Sequence, residues 1–145
     1  MAEPLRFRDD EPVDHPAVTV DAFGGQANAA AVRVEPGDDA RALIPHLAHI
    51  RLVEVNFPVF TDGRGYSAAR ILREAGYTGE LRAVGDVLVD QLGFMRRCGF
   101  DAFEPDQPFD DGEVRAALSR FPHAYQPAAA GAQPIWALRH PPANG

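Results

Sequence analysis

Three short stretches combine carboxylates and guanidinium groups at spacings that could do chemistry: Thr61-Asp62-Gly63-Arg64-Gly65, Gly85-Asp86 and Glu104-Pro105-Asp106, with Arg82 on the segment leading into the second. Carboxylates gathered there could hold a hard cation such as Mg²⁺, and the arginines could grip a sulfate, phosphate or carboxylate through paired hydrogen bonds. A plainer use needs no ligand: Asp86 caps a helix, and Asp62, Arg64, Arg82 and Glu104 neutralise one another as ion pairs. The string Gly63-Arg-Gly-Tyr-Ser-Ala68 also fits the dinucleotide fingerprint G-x-G-x-x-A, with Asp86 near the place of the ribose-binding acid. Against that reading, Pro58–Asp62 separate the preceding apolar run from the first glycine, and Asp62 would set a negative charge beside a pyrophosphate. A structural turn forming an anion-binding nest is the better reading. His46 and His49 stand three apart, at metal-ligand spacing on a helical face, but no third His or Cys lies near them, so they read as a polar face. Cys98, just before a glycine and after Arg96 and Arg97, reads as a buried inert thiol, because a helix C-terminus disfavours an anion. No metal site is expected.

The elements that must position these residues follow from two alternating hydrophobic periods. Leu52–Phe57, Glu80–Val84 and Asp101–Glu104 are short, β-branched or aromatic, and read as strands. Between them, Ala68, Ile71, Leu72 and Ala75, and then Leu88, Gln91, Leu92, Met95 and Cys98, recur at helical spacing. Ser67 is expected to cap the first of these helices. Gly76-Tyr77 and Gly99-Phe100 suit left-handed helix ends with their apolar follow-on contact. Upstream, Ala29–Val34 is a short apolar segment, and Ala42, Leu43, Leu47 and Ile50 form a helical run that Pro45 must kink. A last helix spans 113–121. Strand and helix alternating at this spacing predict an α/β fold of repeated βα units with a mainly parallel sheet. Periodicity leaves an open three-layer sheet and a partial barrel both standing. In such folds ligands bind where the strands' C-terminal ends meet the following loops, which is why the three stretches above are the candidate site.

The 145 residues amount to one domain, expected over 17–126, preceded by a flexible acidic arm at 1–16 and followed by a Pro/Ala-rich tail at 127–145 in which Ile135–Arg139 could dock as a strand. The chain has no lysine, which removes Schiff-base and P-loop chemistry. A single cysteine removes an internal disulfide, a four-thiolate zinc site and a thiolate-held iron–sulfur cluster. A net charge of −7 is the wrong sign for a general nucleic-acid or anionic-membrane binder, so neither is an expected partner. With no signal-like or membrane-spanning run, the cytoplasm is the expected location.

Residues 57–103 are more specific. Phe57-Pro-Val-Phe-Thr-Asp-Gly-Arg-Gly-Tyr-Ser-Ala-Ala-Arg-Ile-Leu-Arg73, Gly79-Glu-Leu-Arg-Ala-Val-Gly-Asp-Val-Leu-Val-Asp-Gln91 and Arg97-Cys-Gly-Phe-Asp-Ala-Phe103 resemble, in that order, the bacterial family called domain of unknown function 934. The resemblance implies a link to assimilatory sulfate and sulfite reduction, since genes of the family tend to sit beside those for sulfite reductase and the adenylyl-sulfate reductases, and members are often labelled probable oxidoreductases of sulfite reduction. It brings no catalytic residues. Its motif positions Asp62, Arg64, Arg82, Asp86, Asp90 and Gln91, with Glu104, are candidates for anion or partner binding by location. The expected function is an accessory or partner protein acting with sulfite reductase. The alternative is a small enzyme, an oxidoreductase among the options, acting on an anionic metabolite at the carboxylate and arginine face, with Mg²⁺ or a nicotinamide cofactor in the range of ligands. Cofactor and oligomeric state stay open.

Overall fold

The computed structural model describes residues 5–13, 16–25 and 29–119. In chain order the elements are β1 (Leu5–Arg6), β2 (Val18–Thr19), α1 (Val20–Gly25), β3 (Ala31–Val34), a 3₁₀ helix (Ala40–His46), β4 (Leu52–Phe57), α2 (Arg64–Glu74), β5 (Glu80–Gly85), a 3₁₀ turn (Val89–Gln91), α3 (Leu92–Cys98), β6 (Ala102–Pro105) and α4 (Asp111–Ser119). The architecture is α/β. Six strands form one sheet in the order β1-β6-β5-β4-β3-β2, parallel from β2 to β6, with β1 antiparallel to β6. The three strands expected to run parallel, β4, β5 and β6, are neighbours. Among the described residues no helix is long and apolar enough to cross a membrane.

Strand alternation divides the sheet into two unlike faces. On one, Val32, Val34, Val53, Val55, Phe57, Leu81, Ala83 and Phe103 join Leu43, Leu72, Leu92, Met95 and Leu118 in a single core, so the described helices draw their buried residues to one side of the sheet. The other face carries Arg6, Arg33, Glu54, Glu80, Arg82 and Glu104 among the small or apolar Ala31, Leu52, Val84 and Ala102. Of the two arrangements left open, the three-layer one would need helices on both faces, and the described residues show them packed on one.

Local chemistry sets the helix boundaries. Asp39 opens the 3₁₀ helix by accepting the Arg41 N–H at 3.0 Å, and Pro45, which has no N–H to give, sits inside this tighter helix. The cap of α2 differs from expectation: the helix starts at Arg64, three residues before Ser67, because the Asp62 carboxylate already accepts the Arg64 N–H at 3.0 Å. At the C-termini the reading holds. Gly76 and Gly99 take φ of 99° and 115°, and the following Tyr77 and Phe100 N–H groups reach back to Leu72 and Met95 carbonyls. Arg73 fastens both ends at once, donating to the carbonyls of Gly99, Tyr77 and Gly79 and to Asp101.

The N-terminal stretch contributes an edge strand. Residues 5–10 fall within the expected flexible arm, yet Leu5–Arg6 is a strand, Phe7 meets Phe103 edge-on at 5.9 Å, and the Arg96 guanidinium lies over the Phe7 ring at 4.7 Å. Acidic residues and prolines dominate the composition there, but Arg6 and Phe7 each find a buried partner. The expected tail at 127–145 and the strand at Ile135–Arg139 lie outside the described residues, as does Phe121 of the expected last helix.

Candidate functional site

Arg82 stands third in β5, on the face away from the helices, directly across from Glu54 of β4, which in turn faces Arg33 of β3. On its other side in the row is Ala102, then Arg6. Ala102 leaves room above it, and the guanidinium groups of Arg82 and Arg6 both turn to Glu80. Arg82 donates from Nε and a terminal nitrogen to Glu80 Oε2 at 3.0 and 2.7 Å; Arg6 does the same to Oε1 at 3.0 and 2.7 Å. The remaining Arg82 nitrogen lies 3.4 Å from Glu104 and 3.8 Å from Glu54, and Glu54 takes two hydrogen bonds from Arg33. The result is a ladder of alternating charge, Arg33–Glu54–Arg82–Glu80–Arg6, running across five strands. Glu80 is 2% exposed, Arg6 4% and Arg82 7%.

Asp62 and Arg64 form a separate pair at the N-terminus of α2. Two guanidinium nitrogens reach the carboxylate at 2.7 and 3.1 Å. The Arg64 side chain, helped by the Arg64 N–H, holds the Asp62 carboxyl down to about 2. This carboxylate takes the helical N–H that a pyrophosphate would need in a dinucleotide site. Gly65 meets a different demand: a Cβ there would lie 2.6 Å from the Phe57 ring and 2.9 Å from Val55, so the glycine lets α2 close onto β4. The fingerprint spacing thus marks a packing contact.

Asp86 does not cap a helix. Its carboxylate accepts the Phe60 N–H at 2.9 Å, and Gln91 Nε2 donates to the Phe60 carbonyl at 3.1 Å and to the Tyr66 hydroxyl at 2.9 Å. Gln91 Oε1 also accepts the Leu88 N–H at 3.0 Å. Two of the candidate residues therefore clamp both main-chain polar groups of one residue, Phe60, in the loop after β4. Asp90 lies exposed beside Gln91.

The expectation that Arg64, Arg82 and Asp86 open onto one shared pocket does not hold for these side chains. Arg82 is on one face of the sheet, whereas α2, which carries Arg64, packs on the other. The cleft at Arg64, lined also by Glu35, Asp38, Asn56 and Gly65, is about 20 Å³, room for roughly one water, and touches neither Arg82 nor Asp86. A larger cavity of about 230 Å³ lies at the opposite end of the strands, bordered by Arg8, Asp10, Glu11, Arg51, Thr78 and Glu80. Among the described residues no three His, Cys, Asp or Glu side chains gather in a metal-binding group. His46 lies edge-on to Phe23 with ring centres 5.2 Å apart. Cys98 is buried, which pushes its thiol up despite the nearby Arg70 and Arg97.

The loop clamp supports a feature the sequence reading missed. Val59, Phe60, Leu88 and Phe94 are 52%, 43%, 39% and 48% exposed. Gln91 ties the main chains of Phe60 and Leu88 to the Tyr66 hydroxyl, and the Tyr66 ring lies 5.0 Å from Phe94, so Phe60, Leu88 and Phe94 gather around Gln91 and Tyr66, with Val59 next to Phe60 in the chain. Leu88 was expected on the inner helical face; it precedes the helix in extended backbone and turns outward instead. Phe94 carries the available signal, since it falls outside the Leu92–Met95–Cys98 pattern of α3.

No curated protein and no solved structure matches this chain. Residues 31–136 match the family described as "Bacterial protein of unknown function (DUF934)", a span that takes in the charged ladder except Arg6, the Phe60 clamp and the apolar patch, and leaves out β1 and β2; the chain belongs to this family.

Proposed function

We propose that this protein serves assimilatory sulfate and sulfite reduction in the cytoplasm as an accessory protein acting with sulfite reductase. One observation carries the accessory role: the candidate charged groups are already engaged with one another. An arginine that grips an anionic substrate needs donors pointed at the ligand and access to it. Arg82 instead spends its donors on Glu80 and Glu104 in a nearly sealed site, and Arg64 spends two on Asp62. Asp86 and Gln91 shape a loop. These groups hold the sheet and the Phe60 loop, and with it an exposed apolar surface, rather than form a reaction centre. The alternation of strand and helix from β3 to α4, read as repeated βα units, is a rigid scaffold for such a surface. The pathway itself is supported by the family resemblance and its gene neighbourhood.

Growth on defined sulfur sources tests the proposal. A host lacking this protein should grow poorly on sulfate or sulfite and normally on sulfide or cysteine, because a protein serving sulfite reductase is needed before sulfide is made. Failure on sulfate alone would move the role upstream, to the adenylyl-sulfate reductases. Normal growth on all four sources, in a genome without a second copy, would remove the assignment.

A further inference from the structure

The cavity of about 230 Å³ at the N-terminal ends of β4 and β5 plays no part in the Phe60 clamp or the exposed apolar surface. It is more than ten times the cleft at Arg64 and a little below the ~300–1,000 Å³ of pockets for drug-sized ligands, a size that suits a small metabolite. Three chain segments bound it, 8–13, 47–51 and 78–80, and hydrogen bonds tie them together. Arg8 donates to the Thr78 carbonyl at 3.1 Å, and the Glu80 N–H donates to the Arg51 carbonyl at 3.0 Å. Most of the charged border is already spent. Arg8 is held by Asp10 and Asp101, Asp10 by Arg8 and Arg6, and the two oxygens of Glu80 by Arg6 and Arg82. Among the described residues, however, the side chains of Arg51 and Glu11 make no hydrogen bond or ion pair, and the Thr78 hydroxyl makes no hydrogen bond.

Unlike charges that border one cavity without reaching each other are complementary to a molecule that carries both signs. A bare anion there would meet Arg51 but also the carboxylates of Asp10, Glu11 and Glu80, and a bare cation would meet Arg8 and Arg51. A zwitterion avoids both conflicts. Beside these groups, Val13, Leu47 and Ile50 supply an apolar wall. We propose that this cavity binds a free α-amino acid with a small apolar side chain. Its carboxylate lies on the Arg51 guanidinium, its ammonium on the Glu11 carboxylate, and its side chain against Val13 and Leu47. The Arg51 fork suits a carboxylate because it can donate two parallel hydrogen bonds. Binding also ties the N-terminal stretch, which supplies Glu11, to the loop before β4, which supplies Arg51.

Titration calorimetry of the full chain against the standard L-amino acids, each at up to about 10 mM, tests this. At least one with an apolar side chain between alanine and methionine in size should bind with a Kd at or below about 1 mM. Its N-acetyl derivative, which lacks the ammonium, and its amide, which lacks the carboxylate, should each bind at least about tenfold more weakly. Arg51→Ala and Glu11→Gln should each cost affinity by a similar factor with the urea midpoint unchanged, since both side chains are exposed and without a partner in the fold. Sulfate and sulfite, as bare anions, should not compete. Absence of binding by every amino acid overturns the proposal. So does equal binding of the acetylated or amidated form, full affinity in either folded variant, or displacement of the amino acid by sulfate or sulfite at equal concentration.

Discussion

Glu80 and Arg6, 74 residues apart in the chain, meet through two hydrogen bonds of 3.0 and 2.7 Å in a place almost closed to solvent. The pair brings the first described strand onto the sheet edge, and it shares its carboxylate with Arg82. Removing one member of such a buried pair leaves the other charge without compensation. Glu80→Ala should therefore cost about 3–5 kcal/mol, the usual penalty for breaking a buried ion pair, read as a lowered midpoint in urea unfolding. Arg6→Ala should approach the same loss. A change below about 1 kcal/mol in both would show that the ladder is a solvated surface feature.

The two arginines first read together as an anion site should separate in their effects. Arg82→Ala leaves the buried Glu80 Oε2 without its donors and Glu104 without its arginine, and should destabilise by several kcal/mol, on the order of 3. Arg64→Ala breaks only an exposed pair and should leave the urea midpoint close to that of wild type. Growth on sulfite, compared at matched levels of folded protein, should be unaffected by Arg82→Ala. A folded Arg82→Ala protein that no longer supports growth would return Arg82 to a binding role.

Gly63 and Gly65 occupy neighbouring places in the fingerprint-like string but face different surroundings. Nothing lies within 4 Å of a Cβ built on Gly63, whereas one on Gly65 would enter the Phe57 ring. Gly65→Ala should destabilise by about 1–3 kcal/mol through overpacking, with Gly63→Ala within about 0.5 kcal/mol of wild type. Equal tolerance of both would mean that α2 can lift from β4 without loss.

Much of the fold was legible because its signals are local. Leu52–Phe57 and Glu80–Val84 carry strand patterns within six residues, and Gly76 and Gly99 mark helix ends by a backbone angle that few other residues accept. The charged ladder was not legible, because it depends on strand register. Glu54, Arg82 and Arg33 become neighbours only when β3, β4 and β5 align, and a stretch that alternates charged with apolar residues reads equally well as a wet face. Leu5–Arg6 is too short to show a period, and its stabilising partner lies 74 positions away. The geometry expected of the candidate residues was not legible either. Asp86 and Gln91 do come together, on the main chain of Phe60, but neighbouring loops in sequence say nothing about which face of the sheet Arg82 takes.

Asp10 offers a pH-dependent check on the N-terminal docking. Hydrogen bonds from Arg8, then Arg6, outweigh partial burial and hold its carboxyl down to about 2. An unfolded Asp titrates near 3.9, so the folded state favours the charged form. The sign follows: the stabilisation is fully present above pH of about 4 and is lost as the pH falls through the folded value near 2. The side chain is half exposed, so screening limits the contribution to below about 1 kcal/mol. Asp10→Asn should accordingly be less stable than wild type at pH 6, and the gap between their urea midpoints should close as the pH is lowered to about 2. A gap that stays constant across that range would mean that Asp10 acts through its hydrogen-bonding shape rather than its charge.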